Sequence, residues 1–251
     1  MLPIKIITDS TCDLPADLFV RYGIEVVSAK LTKVMTTSHP SPHDFEQAYR
    51  AYAGHFILSV HLSFSFSATY NAACQAQRQL DPQNERIKII DSGSVSAGLG
   101  LFVLRLAHLI ERTEDVDTIL SQIQILKRQI RLDFILDNLQ DIKKSGRLGR
   151  LPDASPIAKK LQFIPLFSCQ NSQISYTNTF NFQDALEKIA FKLAQAPDTK
   201  ELVIVHSCQD ERYLLLMDLL KNNIKDITVH TCTLNNILQA HVGKGVLGIA
   251  Y

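Results

Sequence analysis

The stretch Ile4-Lys5-Ile6-Ile7-Thr8-Asp9-Ser10-Thr11-Cys12-Asp13-Leu14-Pro15 decides how this chain is read. A short apolar run passes into a turn of small polar residues, the pattern of a buried parallel strand whose carboxyl end faces a ligand. The pattern returns at Phe56 to His61, which leads into a serine-rich turn, and at Ile87 to Ile90 ahead of Asp91-Ser92-Gly93; Ile24 to Ser28 makes a fourth run. Helical segments separate these strands. Ser41 stands as an N-cap before Pro42, with Asp44 in the first turn and Gly54 as a stop. A second helix is expected from about Thr69 to Leu80. A third, Val95 to Ile110, is apolar nearly all round and so belongs between layers.

Beyond Thr113, a candidate cap, Val116, Ile119, Leu120, Ile123 and Leu126 recur at helical spacing, and this helix fades near Arg131. The character then changes. Ile164 to Ser168 and Ile174 to Thr177 lie so close, with Asn171 and Ser172 between them, that they read as an antiparallel hairpin. Further strands are expected at Leu202 to His206, Ile227 to Thr231 and Val246 to Tyr251, with helices at Phe182 to Ala194 and Asp210 to Asn222. The fold class is therefore α/β, with an N-terminal doubly wound, mainly parallel sheet and a C-terminal α+β domain whose sheet is mixed or antiparallel. The change of pattern divides the chain into an N-terminal domain over 1–148 and a C-terminal domain over 149–251.

Composition narrows the function. Lys and Arg number 26 against 25 Asp and Glu, a balance that gives no support to nucleic-acid binding or to an anionic membrane surface. The one basic cluster is Lys143, Lys144, Arg147, Arg150, Lys159 and Lys160. The N-terminus lacks the pattern of a secretory signal, and the longest apolar run is broken by Arg105 and His108, so a soluble, cytoplasmic protein without stable membrane insertion is expected. Five scattered cysteines form no CxxC pair, and the histidines have no HExxH spacing, which argues against a metal site.

Four segments carry candidate chemistry. Asp9, Ser10 and Asp13 are turn and cap formers at the end of a strand, where ligands also bind. Thr37-Ser38-His39-Pro40-Ser41 and Phe66-Ser67-Ala68-Thr69-Tyr70 put hydroxyls ahead of helices, where unpaired N–H groups and the positive end of the dipole favour an anion. His241-Val242-Gly243-Lys244-Gly245 is a glycine loop before the last strand, open to close backbone approach. Asp91 to Gly100 is glycine-containing but has neither a GK[ST] lysine nor GxGxxG spacing, and is read as the cap of the buried helix.

In this order, Thr8 to Pro15, Thr37 to Ser41, Phe66 to Tyr70, Ile90-Asp91-Ser92, Ser145-Gly146-Arg147 and His241 to Gly245 resemble the DegV family, with its TDS-[ST]-x-D-L-P, TSQPS, LSGTY, DS, GGR and HxGPG motifs. The resemblance implies a carrier that holds one long-chain fatty acid in the cleft between its two domains. It implies carboxylate ligands at Thr37, Ser67 and His241, with Arg147 close to the head group; Ser10, Ser38, Ala68 and Gly243 are additional candidates. It also implies a partner, the ATP-binding subunit of a fatty acid kinase, which phosphorylates the bound carboxylate. No cofactor and no catalytic residue are expected.

This sequence departs from the family pattern at His39, Ala68, Ser145 and Lys244, and its stretch from Val26 to Thr37 is shorter than usual. Two other functions compete. One is an esterase or acyltransferase in which Ser67 attacks and His241 is its base, although no GxSxG elbow surrounds Ser67. The other is a sensor or interaction module that has lost its lipid.

Overall fold

The computed structural model describes residues 2–31, 37–136, 164–196, 199–223 and 226–251. The first half carries β1 (Ile4–Asp9), α1 (Ala16–Arg21), β2 (Glu25–Val27), a two-strand pairing of β3 (Lys30–Leu31) with β4 (Thr37–Ser38), α2 (Pro42–Ala51), β5 (Phe56–His61), α3 (Thr69–Leu80), β6 (Ile87–Asp91), α4 (Ala97–Arg112) and α5 (Val116–Gln129). The second half carries β7 (Leu132–Leu136), β8 (Ile164–Gln170), β9 (Gln173–Thr179), α6 (Phe182–Ala194), β10 (Glu201–His206), α7 (Glu211–Asn223), β11 (Thr228–Thr233), α8 (Asn236–Val242) and β12 (Val246–Ala250).

The first sheet is parallel, in the order β2-β1-β5-β6. Chain order reverses on either side of β1, so the carboxyl ends of β1 and β5 open a crevice at a topological switch point. The second sheet runs β11-β10-β12-β7-β8-β9 and mixes one parallel pair, β10 with β11, among antiparallel ones. This is the two-sheet α/β architecture expected from the sequence. The expected division at 148/149 falls outside the described residues, and β7, on its N-terminal side, hydrogen-bonds within the second sheet.

Helix α4 joins the two halves. Ten of its residues, from Ala97 to Ala107, are buried, and it packs on β1 as well as on β10 and β12. A helix touching both sheets has no solvent face to make polar, which accounts for its nearly continuous apolar sequence. One apolar core accordingly runs from Ile6 and Leu58 in the first sheet through Phe102 to Val203 and Ala250 in the second.

Local chemistry sets several boundaries. Ser41 and Asp44 form a reciprocal capping box on α2, with Ser41 N–H donating to Asp44 Oδ2 at 2.8 Å. Asn171 and Ser172 adopt φ values of 46° and 68°, the two positive angles of a tight hairpin turn between β8 and β9.

The structure differs from the sequence reading in places. The cap of α5 is Asp115 rather than Thr113, its carboxylate accepting the Thr118 N–H at 3.0 Å. Helix α2 stops at Ala51, before Gly54. The strand β7 was hidden by Asp133, which breaks its apolar run and becomes acceptable only by tertiary pairing. The Asp133 carboxylate receives Lys192 Nζ and Tyr251 OH, each at 2.8 Å, besides Ser168 Oγ.

Gly100 tests the packing of α4. A Cβ there would come within 2.2 Å of the Asp13 carbonyl oxygen, a backbone atom that cannot swing aside. Gly100→Ala is expected to lower stability by about 2–4 kcal/mol in denaturant titration, although alanine is the better helix former by about 1 kcal/mol.

Candidate functional site

The loop after β1 is organised by two buried carboxylates. Asp9 Oδ1 accepts the Thr11 N–H at 2.9 Å and the Thr11 hydroxyl at 2.6 Å; its Oδ2 accepts the Leu62 N–H and His61 Nδ1, both at 3.1 Å. Burial acts to raise the Asp9 pKa, but the His61 bond and charge and the Thr11 donors outweigh it, and the net direction is down. Beyond His61 the chain of bonds continues from Nε2 to Ser59 Oγ at 2.7 Å and on to Tyr49 OH at 2.8 Å. Asp9, His61 and Ser59 have the order of a catalytic triad. They are nevertheless sealed in the core, with His61 and Ser59 wholly inaccessible, so this chain of bonds fastens β1 to β5.

Asp13 spans the two halves. Ser96 Oγ donates to Asp13 Oδ2 at 2.6 Å, and Asn235 donates to Oδ1 from its backbone N–H at 3.1 Å and from Nδ2 at 2.7 Å. Asn235 also caps α8, its Oδ1 accepting the Leu238 N–H at 2.9 Å. Ser96 sits at φ 56°, a backbone angle unusual for a residue with a side chain, at the start of α4. Thus one carboxylate holds the first turn of α4 and the start of α8. The hairpin tip supplies a second tie, with Ser172 N–H donating to the Gly93 carbonyl at 2.7 Å and Ser63 Oγ to Ser172 Oγ at 2.8 Å.

These ties frame two adjoining cavities. The inner one is lined by apolar side chains from the second sheet, from α8 and from the loops that follow β5 and β6, among them Val95, Phe134, Ile174, Val205 and Val246. The outer one is lined by Thr11, Ala29, Ser38, His39, Ser67, Ala68, Thr69 and Ile237. Leu62, Phe66, Leu238 and His241 line both, so the two lie side by side and together make a cleft with an apolar side and a polar side. The polar end lies at the switch point of the first sheet and at the N-terminus of α3, where free N–H groups and the helix dipole attract negative charge.

The expected site residues distribute unevenly around this cleft. Ser67, Ser38 and Ala68 line its polar end, and His241 stands at the junction of the two chambers. Ser67 Oγ accepts the Thr69 N–H at 3.2 Å and lies 3.0 Å from Thr69 Oγ1, the local turn that starts α3. Ser10 instead braces the segment between β2 and β3, its hydroxyl accepting the Ala29 N–H at 3.0 Å. Gly243 closes α8 at φ 77° and lines neither chamber. The backbone of Thr37 pairs with Leu31, while its side chain, Arg147 and the basic stretch from Lys143 to Lys160 lie outside the described residues.

Sequence reasoning missed Thr11, Ala29, Thr69 and Ile237 as lining residues, and all of the inner chamber except His241. The inner lining comes from β7, β9, β10, β12 and α8, and only their folding together makes it a chamber. Among the described residues no cluster of three or more His, Cys, Asp or Glu is arranged to hold a metal ion.

Fold and cleft together define a two-sheet α/β protein with an amphipathic pocket at a switch point. A family model described as "Uncharacterised protein, DegV family" matches residues 28–251, and the chain belongs to the DegV family. It is similar to a DegV domain-containing protein of Clostridium perfringens, with 27% identity over 277 residues covering 99% of this chain and 98% of that one. Among solved structures it resembles a DegV family protein from Thermus thermophilus described for its fatty acid binding, with 24% identity, 99% of each chain covered and a TM-score of 0.86. A stearic acid-binding protein from Eubacterium ventriosum is similar at 17% identity, with 98% of this chain and 97% of that one covered and a TM-score of 0.86.

Asp13 makes the tie between the halves pH-dependent. Burial raises its pKa to about 6, against the downward pull of Ser96 and Asn235. A carboxyl whose folded pKa is raised favours the folded state most when protonated, and that contribution shrinks as pH climbs from about 4 to about 6. Asp13→Asn cannot ionise there. Its stability relative to the unsubstituted protein is expected to rise across that window, by no more than about 3 kcal/mol, in denaturant titrations at a series of pH values.

Proposed function

We propose that this protein is a non-catalytic carrier that binds a long-chain fatty acid, with the carboxylate in the polar end of the cleft and the tail in the apolar chamber. The observation that carries this reading is the apposition of an apolar chamber and a hydroxyl-lined one across the shared residues Leu62, Phe66, Leu238 and His241. An amphipathic molecule with one small charged end and a long apolar body matches that sequence of environments. Each methylene taken out of water contributes about 0.8 kcal/mol, so the inner chamber favours long chains over short ones. Fatty acid binding by its structural neighbours supports the same reading.

In this reading Ser67, Ser38, Thr37 and His241 donate to the carboxylate, and Arg147 stands near it. A buried carboxylate offers about four acceptor sites, and hydroxyls, amide N–H groups and an imidazolium fill them. The domains over 1–148 and 149–251 close on the ligand from either side, with β7 lending its apolar face to the chamber. The carrier presents the head group, at the open polar end, to a kinase subunit that phosphorylates it, and it works in the cytoplasm. Among the described residues no helix is long and apolar enough to cross a membrane.

Mass spectrometry of lipid extracted from the purified protein tests the carrier directly. A non-covalently bound fatty acid is the expected result; an acyl ester on Ser67 indicates an acyltransferase, and an empty protein that takes up no added fatty acid rejects the reading. Calorimetry then tests the assignment of ends. Ser67→Ala and His241→Ala are each expected to lose about 1–3 kcal/mol of affinity, and the second to abolish any decline in binding as pH rises past the histidine range. Ile174→Trp, which fills the inner chamber alone, is expected to weaken an eighteen-carbon acid far more than a ten-carbon one; equal losses for both would move the tail elsewhere.

A further inference from the structure

A second cavity lies away from the fatty-acid cleft. It opens between the later turns of α4, the end of α5 and the start of β10, with about 630 Å³ of space inside it. Helix α4 places Ser96 at the apolar chamber and Arg112 at this cavity, about 24 Å apart along the helix axis at 1.5 Å per residue. Arg105, Arg112, Arg128, Arg131 and Lys200 line it. The whole chain is nearly neutral, so this concentration of cations is a property of the site.

The one carboxylate in the lining, Glu201, is already engaged: its Oε1 lies 2.8 Å from His230 Nε2 and its Oε2 3.6 Å from His108 Nδ1. Among the described residues no carboxylate lies within ion-pair distance of Arg105, although that side chain is half-buried. Burial pulls its pKa down from the ordinary arginine value, against the field of Glu201. A guanidinium partly removed from water and lacking a paired anion is costly unless a ligand supplies one. Arg112 and Arg128 also answer the negative ends of α4 and α5. Arg105 in the middle of α4, Arg131 beyond α5 and Lys200 ahead of β10 have no such role. Arg131 is held in place by a backbone pair with Tyr251, at 2.9 Å and 3.0 Å.

We propose that this cavity binds an organic polyphosphate of nucleotide size, with the phosphates on Arg105, Arg131 and Lys200. Arginine forks match phosphate oxygens two at a time, and several of them converging on one space favour a chain of phosphates over a single one. Gln122, Gln129 and Gln195 supply neutral donors and acceptors at the rim, and Leu109, Leu126 and Ala196 supply apolar surface for the organic part. The space exceeds what inorganic phosphate needs and suits a ligand of drug-like size.

Calorimetry on the full chain with tripolyphosphate and with ATP tests this. Saturable one-to-one binding that weakens with added salt is expected. Arg105→Gln and Arg131→Gln should each lower affinity about tenfold or more, with fatty acid affinity unchanged because neither residue lines the cleft. If Arg105→Gln fails to fold, the exposed pair Arg131→Gln with Lys200→Gln carries the same test. No saturable binding at millimolar ligand, binding that all these variants retain, or binding of an acidic peptide but of neither polyphosphate would each overturn the proposal. Polyphosphate binding in a protein that takes up no fatty acid would leave this site standing and remove only the carrier reading.

Discussion

The contact on which the rest of the structure depends is the buried carboxylate of Asp13. It receives three hydrogen bonds, from Ser96 at the start of α4 and from Asn235 at the start of α8. A buried anion left without donors costs several kcal/mol, so the loop after β1 cannot relax without drawing both helices with it. Helix α4 carries the shared core of the two sheets, and α8 carries Leu238 and His241 at the junction of the chambers. The cleft is thereby shaped by a polar tie rather than by apolar packing alone, and that tie sits beside the ligand space.

The two ends of the cleft derive from different parts of the chain. The polar end belongs to the first sheet, where loops after β1 and β5 meet the N-terminus of α3, the place that any open parallel sheet offers to ligands. The apolar end belongs mostly to the second sheet, where Phe134, Val205 and Val246 turn the same face toward α4. A division of labour follows from the architecture. The parallel half can recognise a charged group through helix and backbone dipoles, and the mixed half can accept a length of hydrocarbon. Hydroxyl-rich turns near a helix start are common and need no ligand to explain them; here their meeting with an apolar chamber gives them a use.

The buried polar groups around Asp9 and Asp133 are structural. The bonds through Asp9, His61, Ser59 and Tyr49 leave every polar atom along them with a partner and lie beyond the reach of any substrate. The conspicuous acidic residues Asp9 and Asp13 thus organise the crevice, and within Thr8 to Asp13 only Thr11 lines it. Asp133 does for the second sheet what Asp9 does for the first, fastening Ser168, Lys192 and Tyr251 from three elements.

By itself the sequence determined most of the elements and the family. Alternating apolar runs, the capping box at Ser41, the asparagine–serine turn at Asn171 and the motif order from Thr8 to Gly245 are local signals, each read within a few residues. It pointed to Ser67 and His241 through local motifs, although His241 proves to sit in the last turn of α8 rather than in the glycine loop that follows it. Tertiary structure alone decided that β7 is a strand, since the charge of Asp133 is tolerable only once Lys192 and Tyr251 reach it from elsewhere in the chain. It likewise decided that Ser10 braces the segment between β2 and β3 and that five strands and helices far apart in sequence enclose one chamber. The reason is physical: caps, turns and amphipathic periods act over one or two turns of chain, whereas a cavity is what remains between side chains after distant segments have packed, and no local pattern records it.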